Sequence, residues 1–123
     1  MRLLYLRSNG IGNVGAIALA KALKKNNVPL KGLYLHENRV RNAGACALAN
    51  SLKVNKMLNK IDLVGNRIGN PGALALLGAF EMNSSIDQLN TRRNRCDDEM
   101  ANTVLSISKN EERRRHCACF GVK

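Results

Sequence analysis

The stretch from Leu4 to Asn9 reads LYLRSN, and the stretch from Leu33 to Asn38 reads LYLHEN. Leucine, tyrosine, leucine and asparagine hold the same places in both, and Tyr5 and Tyr34 are the only tyrosines in the chain. The frame recurs with altered residues as IDLVGN at 61–66 and LNTRRN at 89–94. Asn9, Asn38, Asn66 and Asn94 therefore mark periods of 29, 28 and 28 residues, the spacing of an array in which each repeat is one small structural unit. Repeats at 1–29, 30–57, 58–85 and 86–110 fill nearly all of the 123 residues.

Within each repeat the apolar period changes once. Leu4 and Leu6, or Leu33 and Leu35, alternate with polar or aromatic neighbours, which places the leucines on one side of a short strand. Beyond the asparagine the spacing turns helical: Ala16, Leu19, Ala20 and Leu23, then Ala45, Leu48, Ala49 and Leu52, then Ala73, Leu76, Leu77 and Phe80. Strands are expected near 4–7, 33–36, 61–64 and 89–92, and helices near 13–25, 42–54, 70–82 and 98–109. An asparagine at the strand exit carries both donors and an acceptor, so it can satisfy buried backbone groups of its own turn and of a neighbouring one. Gly15, Gly44 and Gly72 fit close approach of helix and loop.

The pattern L-x-x-L-x-L-x-x-N, continued by N-x-I-G-x-x-G-A-x-A-L-A-x-A-L in the first copy, resembles the leucine-rich repeat family. The long period looks most like its ribonuclease-inhibitor-type subclass, which includes the recognition domains of Nod-like receptors and the Ran GTPase-activating proteins. The resemblance covers residues 1–110 and implies an α/β solenoid of about four repeats. In such a short horseshoe arc, parallel strands line the concave face and helices the convex face. The implied function is binding of a protein partner through the concave strand face. The Ran-activator branch implies, as an alternative, a regulator of a GTPase or other switch protein. A structural piece of a longer repeat protein is a third reading. The fourth copy departs from the pattern, with Thr91 for a strand leucine, Cys96 for the isoleucine and Met100 for the glycine.

Stacked repeats turn equal positions into ladders, which explains the paired tyrosines. One ladder is Tyr5, Tyr34, Asp62, Asn90; two residues on come Arg7, His36, Val64, Arg92; a flanking row holds Ser8, Glu37, Gly65, Arg93. Exposed tyrosine and arginine carry binding energy at interfaces more often than other side chains. Tyr5, Arg7, Tyr34, His36, Asp62 and Arg92 are therefore the candidate partner-binding residues. Arg39, Arg67 and Arg95 follow the frame asparagine in three copies, with Gly10 in the first, and form a stripe suited to an acidic partner surface.

The net charge of +11 sits mainly in the repeats, since residues 1–85 hold twelve Lys/Arg against three Asp/Glu. Nucleic-acid binding would ask for aromatics interleaved with the basic residues, and only Tyr5 and Tyr34 could stack on bases. Catalysis finds no support: His36 is the one acid-base candidate within the repeats, and no nucleophile, phosphate loop or carboxylate pair accompanies it. No cofactor or metal site is indicated, because the C-x-C of Cys117 and Cys119 beside His116 lacks zinc spacing. Four irregularly spaced cysteines fit free thiols in a reducing compartment, hence the cytoplasm, and Cys46 and Cys96 are expected to pack as small apolar residues. Residues 111–123 read as a basic, cysteine-containing tail, and no stretch is long and apolar enough for a transmembrane segment. The first repeat has no polar cap before it, so a fragment of a longer array, or self-association near Arg2, Leu3 and Leu4, is expected.

Overall fold

The computed structural model describes residues 2–25 and 29–96. Along them strand and helix alternate: β1 (Leu3–Tyr5), α1 (Asn13–Lys24), β2 (Gly32–Tyr34), α2 (Asn42–Leu52), β3 (Lys60–Asp62), α3 (Asn70–Met82) and β4 (Gln88–Asn90). The strands form a single parallel sheet in chain order, β1-β2-β3-β4. Leu4, Leu33, Ile61 and Leu89 stand in register across it. This is the α/β repeat solenoid that the 28-residue period predicts. The helix expected at 98–109 and the tail at 111–123 lie outside the described residues.

Each strand begins and ends earlier than its alternation suggests, at residues 3–5 where 4–7 was expected. Parallel pairing nevertheless runs on beyond it. The Leu6 amide donates to the Tyr34 carbonyl at 2.8 Å and the Ser8 amide to the His36 carbonyl at 3.2 Å. The strand geometry stops because the chain then turns through the left-handed region, at Ser8 (φ 57°), Glu37 (φ 57°), Gly65 (φ 71°) and Arg93 (φ 58°). Helix α3 covers the expected 70–82, while α1 and α2 stop one and two residues short, at Lys24 and Leu52.

The core lies between sheet and helices. Leu33, Leu35, Val40, Leu48, Leu52, Leu58, Ile61, Leu63, Ile68 and Leu76 are all 0% exposed. Burial of each such side chain stabilises by about 1.5–3 kcal/mol. In the first repeat the equivalents Leu4, Leu6, Ile11 and Leu19 are only partly buried. Thr91, standing where the other repeats have Leu6, Leu35 and Leu63, is buried with its hydroxyl unpartnered among the described residues, a local weakness of the fourth repeat.

Three rows of asparagine bind one repeat to the next. In the frame row, the Asn38 side chain donates to the carbonyls of Leu6 and Leu35 and accepts the amides of Asn9 and Ile11. Asn66 and Asn94 repeat the arrangement one and two units on. A second row, Asn13 and Asn42, caps the following helix. Asn13 Oδ1 accepts the amides of Arg41 and Gly44 at 2.9 and 3.0 Å, and Asn42 Oδ1 those of Gly69 and Gly72 at 2.8 and 3.1 Å. The residues at the N-cap positions themselves, Arg41 and Gly69, make no side-chain cap, so the orphan amides of each helix are satisfied by the preceding repeat. Glycine is required there: a Cβ on Gly44 would lie 2.9 Å from Ala16 Cβ, Asn13 Oδ1 and Val40 Cγ1. A third row closes the helix exits, with Asn55 reaching Leu23 and Asn83 reaching Leu52 and Asn55 carbonyls.

Candidate protein-interaction surface

The odd strand positions point away from the helices and make a surface three side chains deep. Parallel register puts Leu3, Gly32, Lys60 and Gln88 in the first row and Tyr5, Tyr34, Asp62 and Asn90 in the second. The two tyrosines stack, with ring centroids 4.5 Å apart and planes 14° from parallel. Tyr5 is 63% exposed and Tyr34 half-buried. Lys60 Nζ lies 5.1 Å from the centroid of the Tyr34 ring, within cation-π range. Gly32 makes room for this packing: a Cβ there would meet Leu3 Cδ2 at 2.8 Å and Tyr34 Cε2 at 3.0 Å. Leu3 itself is 43% exposed beside the rings. A rigid aromatic pair bordered by an apolar and a cationic side chain results.

The third row is held in place by polar contacts. Arg7 makes a two-pronged pair with Glu37, Nε to Oε2 and Nη2 to Oε1, both at 3.1 Å, and the Ser8 hydroxyl donates to Oε2 at 3.1 Å. The Arg7 hydrogen bond, followed by that of Ser8, holds the Glu37 carboxyl below its ordinary value, while the Glu37 hydrogen bond raises Arg7. His36 Nδ1 stands 3.9 Å from Asp62 Oδ2 and has no hydrogen-bond partner among the described residues. Both side chains are largely covered, His36 24% and Asp62 16% exposed. Asp62 Oδ1 accepts the Val64 amide at 3.0 Å, so this carboxylate shapes its own turn. Arg92 is exposed.

Of the six candidate residues, the structure thus brings Tyr5 and Tyr34 into contact, leaves Arg7 and Arg92 exposed at the same face, and turns His36 and Asp62 mostly inward. Arg39, Arg67 and Arg95 stand in register along the rim at the strand exits. Their amides donate to the carbonyls of Ile11, Val40 and Ile68 at 2.8, 2.8 and 2.7 Å. The three side chains border a shallow groove of about 540 Å³. Cys46 and Cys96 are free thiols of intermediate burial; neither is fully enclosed, though Cys96 packs against the core. Among the described residues no group of three or more His, Cys, Asp or Glu is placed to hold a metal, and no helix is long and apolar enough to cross a membrane.

The leucine-rich repeat family model matches residues 1–20 and 54–77, the first repeat and most of the third. The matched segments carry the leucine-rich repeat pattern, and the strand–helix solenoid has the leucine-rich repeat fold. Among solved structures, leiomodin-1 actin-binding site 2 is similar in fold to these leucine-rich repeats, with a TM-score of 0.78 and 22% identity over 94% of this chain and 76% of that one. No curated protein matches the sequence. Two residues of the leucine-rich repeat surface escape a reading centred on the tyrosine ladder, Leu3 and Lys60. Both lie two positions before that ladder, so strand alternation carried one row further would have placed them on the same face.

Proposed function

We propose that this leucine-rich repeat domain is a protein-recognition module that takes its partner on the concave strand face, without catalysis of its own. The exposed Tyr5 ring stacked on Tyr34 is the observation that carries this reading. The stack fixes two large side chains before a partner arrives, so little side-chain entropy is lost on binding. Lys60 and Leu3 extend the contact area, and Arg7 and Arg92 add donors at its border. The long period and the helix in each repeat support the ribonuclease-inhibitor-type subclass, and free thiols support a reducing, cytoplasmic setting. The structural neighbour is named as an actin-binding site, which makes actin the first partner to try. Binding of wild-type chain and of a Tyr5→Ala, Tyr34→Ala variant is the test, first to actin and then to partners captured from lysate. The double variant is expected to lose binding and keep its circular-dichroism spectrum.

A further inference from the structure

The rim groove bears a charge that the described residues leave unanswered. Its lining includes Arg39, Arg67, Arg93 and Arg95. The carboxylate bordering it, Glu37, is already engaged by Arg7 and Ser8. None of the four lining arginines forms an ion pair among the described residues. The positive charge is also graded along the groove. The first repeat contributes only Ser8 and Gly10, whereas the third and fourth contribute Arg67, Arg93 and Arg95. Between them Gly65 leaves a gap in the row of turn side chains, at a left-handed φ of 71°. Arg93 holds a left-handed φ of 58° in the same row, a conformation in which a glycine is easier to accommodate than an arginine. The same left-handed turn recurs at Ser8 and Glu37, so the repeat geometry itself sets Arg93 at the groove.

We propose that this groove docks an extended acidic peptide segment of a protein partner, with carboxylates seated on Arg67, Arg93 and Arg95. Guanidinium forks match planar carboxylates and bind them in two-pronged fashion. Neighbouring parallel strands lie about 4.8 Å apart, so arginines of consecutive repeats make an elongated target rather than a point. Carboxylates two residues apart on an extended peptide are separated by about 6.6 Å and can span it. The Arg67 and Arg95 amides donate to carbonyls of the preceding repeat, which fixes the Cα positions of these two residues in advance. Among the described residues no aromatic side chain lines the groove, so bases of a nucleic acid would find nothing there to stack on. This surface is independent of the tyrosine face, and either proposal can fail alone.

The probe is a fluorescein-labelled peptide of alternating glutamate and serine, about eight residues long so that it overreaches the roughly 14 Å spanned by four strands, read by fluorescence anisotropy at low salt. Arg67→Gln, Arg95→Gln is expected to weaken binding about tenfold or more, whereas the equal charge change Lys24→Gln, Lys53→Gln on the helix face leaves it within about twofold. The Tyr5→Ala, Tyr34→Ala variant is expected to bind the peptide as wild type does. Amide shifts of wild-type chain on titration, centred on Gly65, Arg67, Arg93 and Arg95, give a second reading that needs no variant. The proposal is overturned if wild-type chain does not bind the peptide or if the lysine and arginine variants lose equally. It is also overturned if the tyrosine variant loses the peptide, or if an oligothymidylate of equal charge binds more tightly through the same arginines.

Discussion

Removing the Asn66 side chain tests whether the asparagine rows join the repeats. Asn66 is 5% exposed and makes three strong contacts. It donates to the carbonyls of Leu35 at 2.9 Å and Leu63 at 3.0 Å, and accepts the Val40 amide at 3.0 Å. In Asn66→Ala the losses are unequal. Leu35 keeps the donor of Asn38 and Leu63 that of Asn94, so each carbonyl loses one bond of two. The buried Val40 amide loses the side-chain acceptor it has. An orphaned buried donor costs about 1–3 kcal/mol and each of the two further lost bonds about 0.5–1.5 kcal/mol, giving a loss of about 2–6 kcal/mol. That is a large share of the roughly 5–15 kcal/mol that holds a domain folded. Asn9, the first residue of the same row, is exposed and its side chain donates to the Arg7 carbonyl at 3.1 Å, so Asn9→Ala, which keeps the backbone amide bond to Asn38, is expected to cost under about 1 kcal/mol. Urea unfolding followed by circular dichroism compares the two. Equal destabilisation by both variants, or an Asn66→Ala loss under about 1 kcal/mol, would refute the inter-repeat role.

Two further outcomes follow from single contacts. Gly44→Ala drives a methyl group to 2.9 Å from Ala16, Asn13 and Val40, and overpacking of this kind is expected to destabilise by about 1–3 kcal/mol in the same urea assay, whereas Gly78→Ala, inside α3 with no atom within 4 Å of the new Cβ, is expected to stabilise by about 0.5–1 kcal/mol. Arg7 holds the Glu37 carboxyl low, so the pair's contribution is complete above the carboxyl's unfolded value and is lost as pH falls through its lowered folded value. In an NMR titration, Arg7→Met is expected to move the Glu37 midpoint up towards its ordinary value, and an unmoved midpoint would show that the pair does not persist in solution.

What the sequence disclosed, and what it hid, follows from how far each signal reaches. The frame asparagines and the strand leucines recur at fixed spacing, so the repeat, the parallel ladder of Tyr5 with Tyr34, and the arginine row were all legible before any coordinates. The Asn13 and Asn55 rows were not, because an asparagine near a helix end reads locally as a cap for its own helix. Here Asn13 serves the amides of Arg41 and Gly44 in the next repeat, and Asn55 also reaches back to Leu23. His36 and Asp62 look as available in the ladder as its other members, yet only the packed structure shows both side chains mostly covered. The pairing of Arg7 with Glu37 joins two different rows across repeats, a diagonal that same-position ladders do not reveal. The Lys60 contact with Tyr34 depends on the missing side chain at Gly32, so it too required the packed structure.

Partner binding by paired variants tests the central proposal most directly. Affinity of one partner, actin first, would be measured for wild-type chain, for Tyr5→Ala, Tyr34→Ala, and for a helix-face control, Val14→Ala, Leu74→Ala, whose side chains are 85% and 43% exposed on the opposite side. The tyrosine variant is expected to lose about 2 kcal/mol or more, roughly thirtyfold in Kd, while the helix-face variant binds as wild type does. Undiminished binding by the tyrosine variant, together with loss in the helix-face variant, would contradict a recognition site on the strand face.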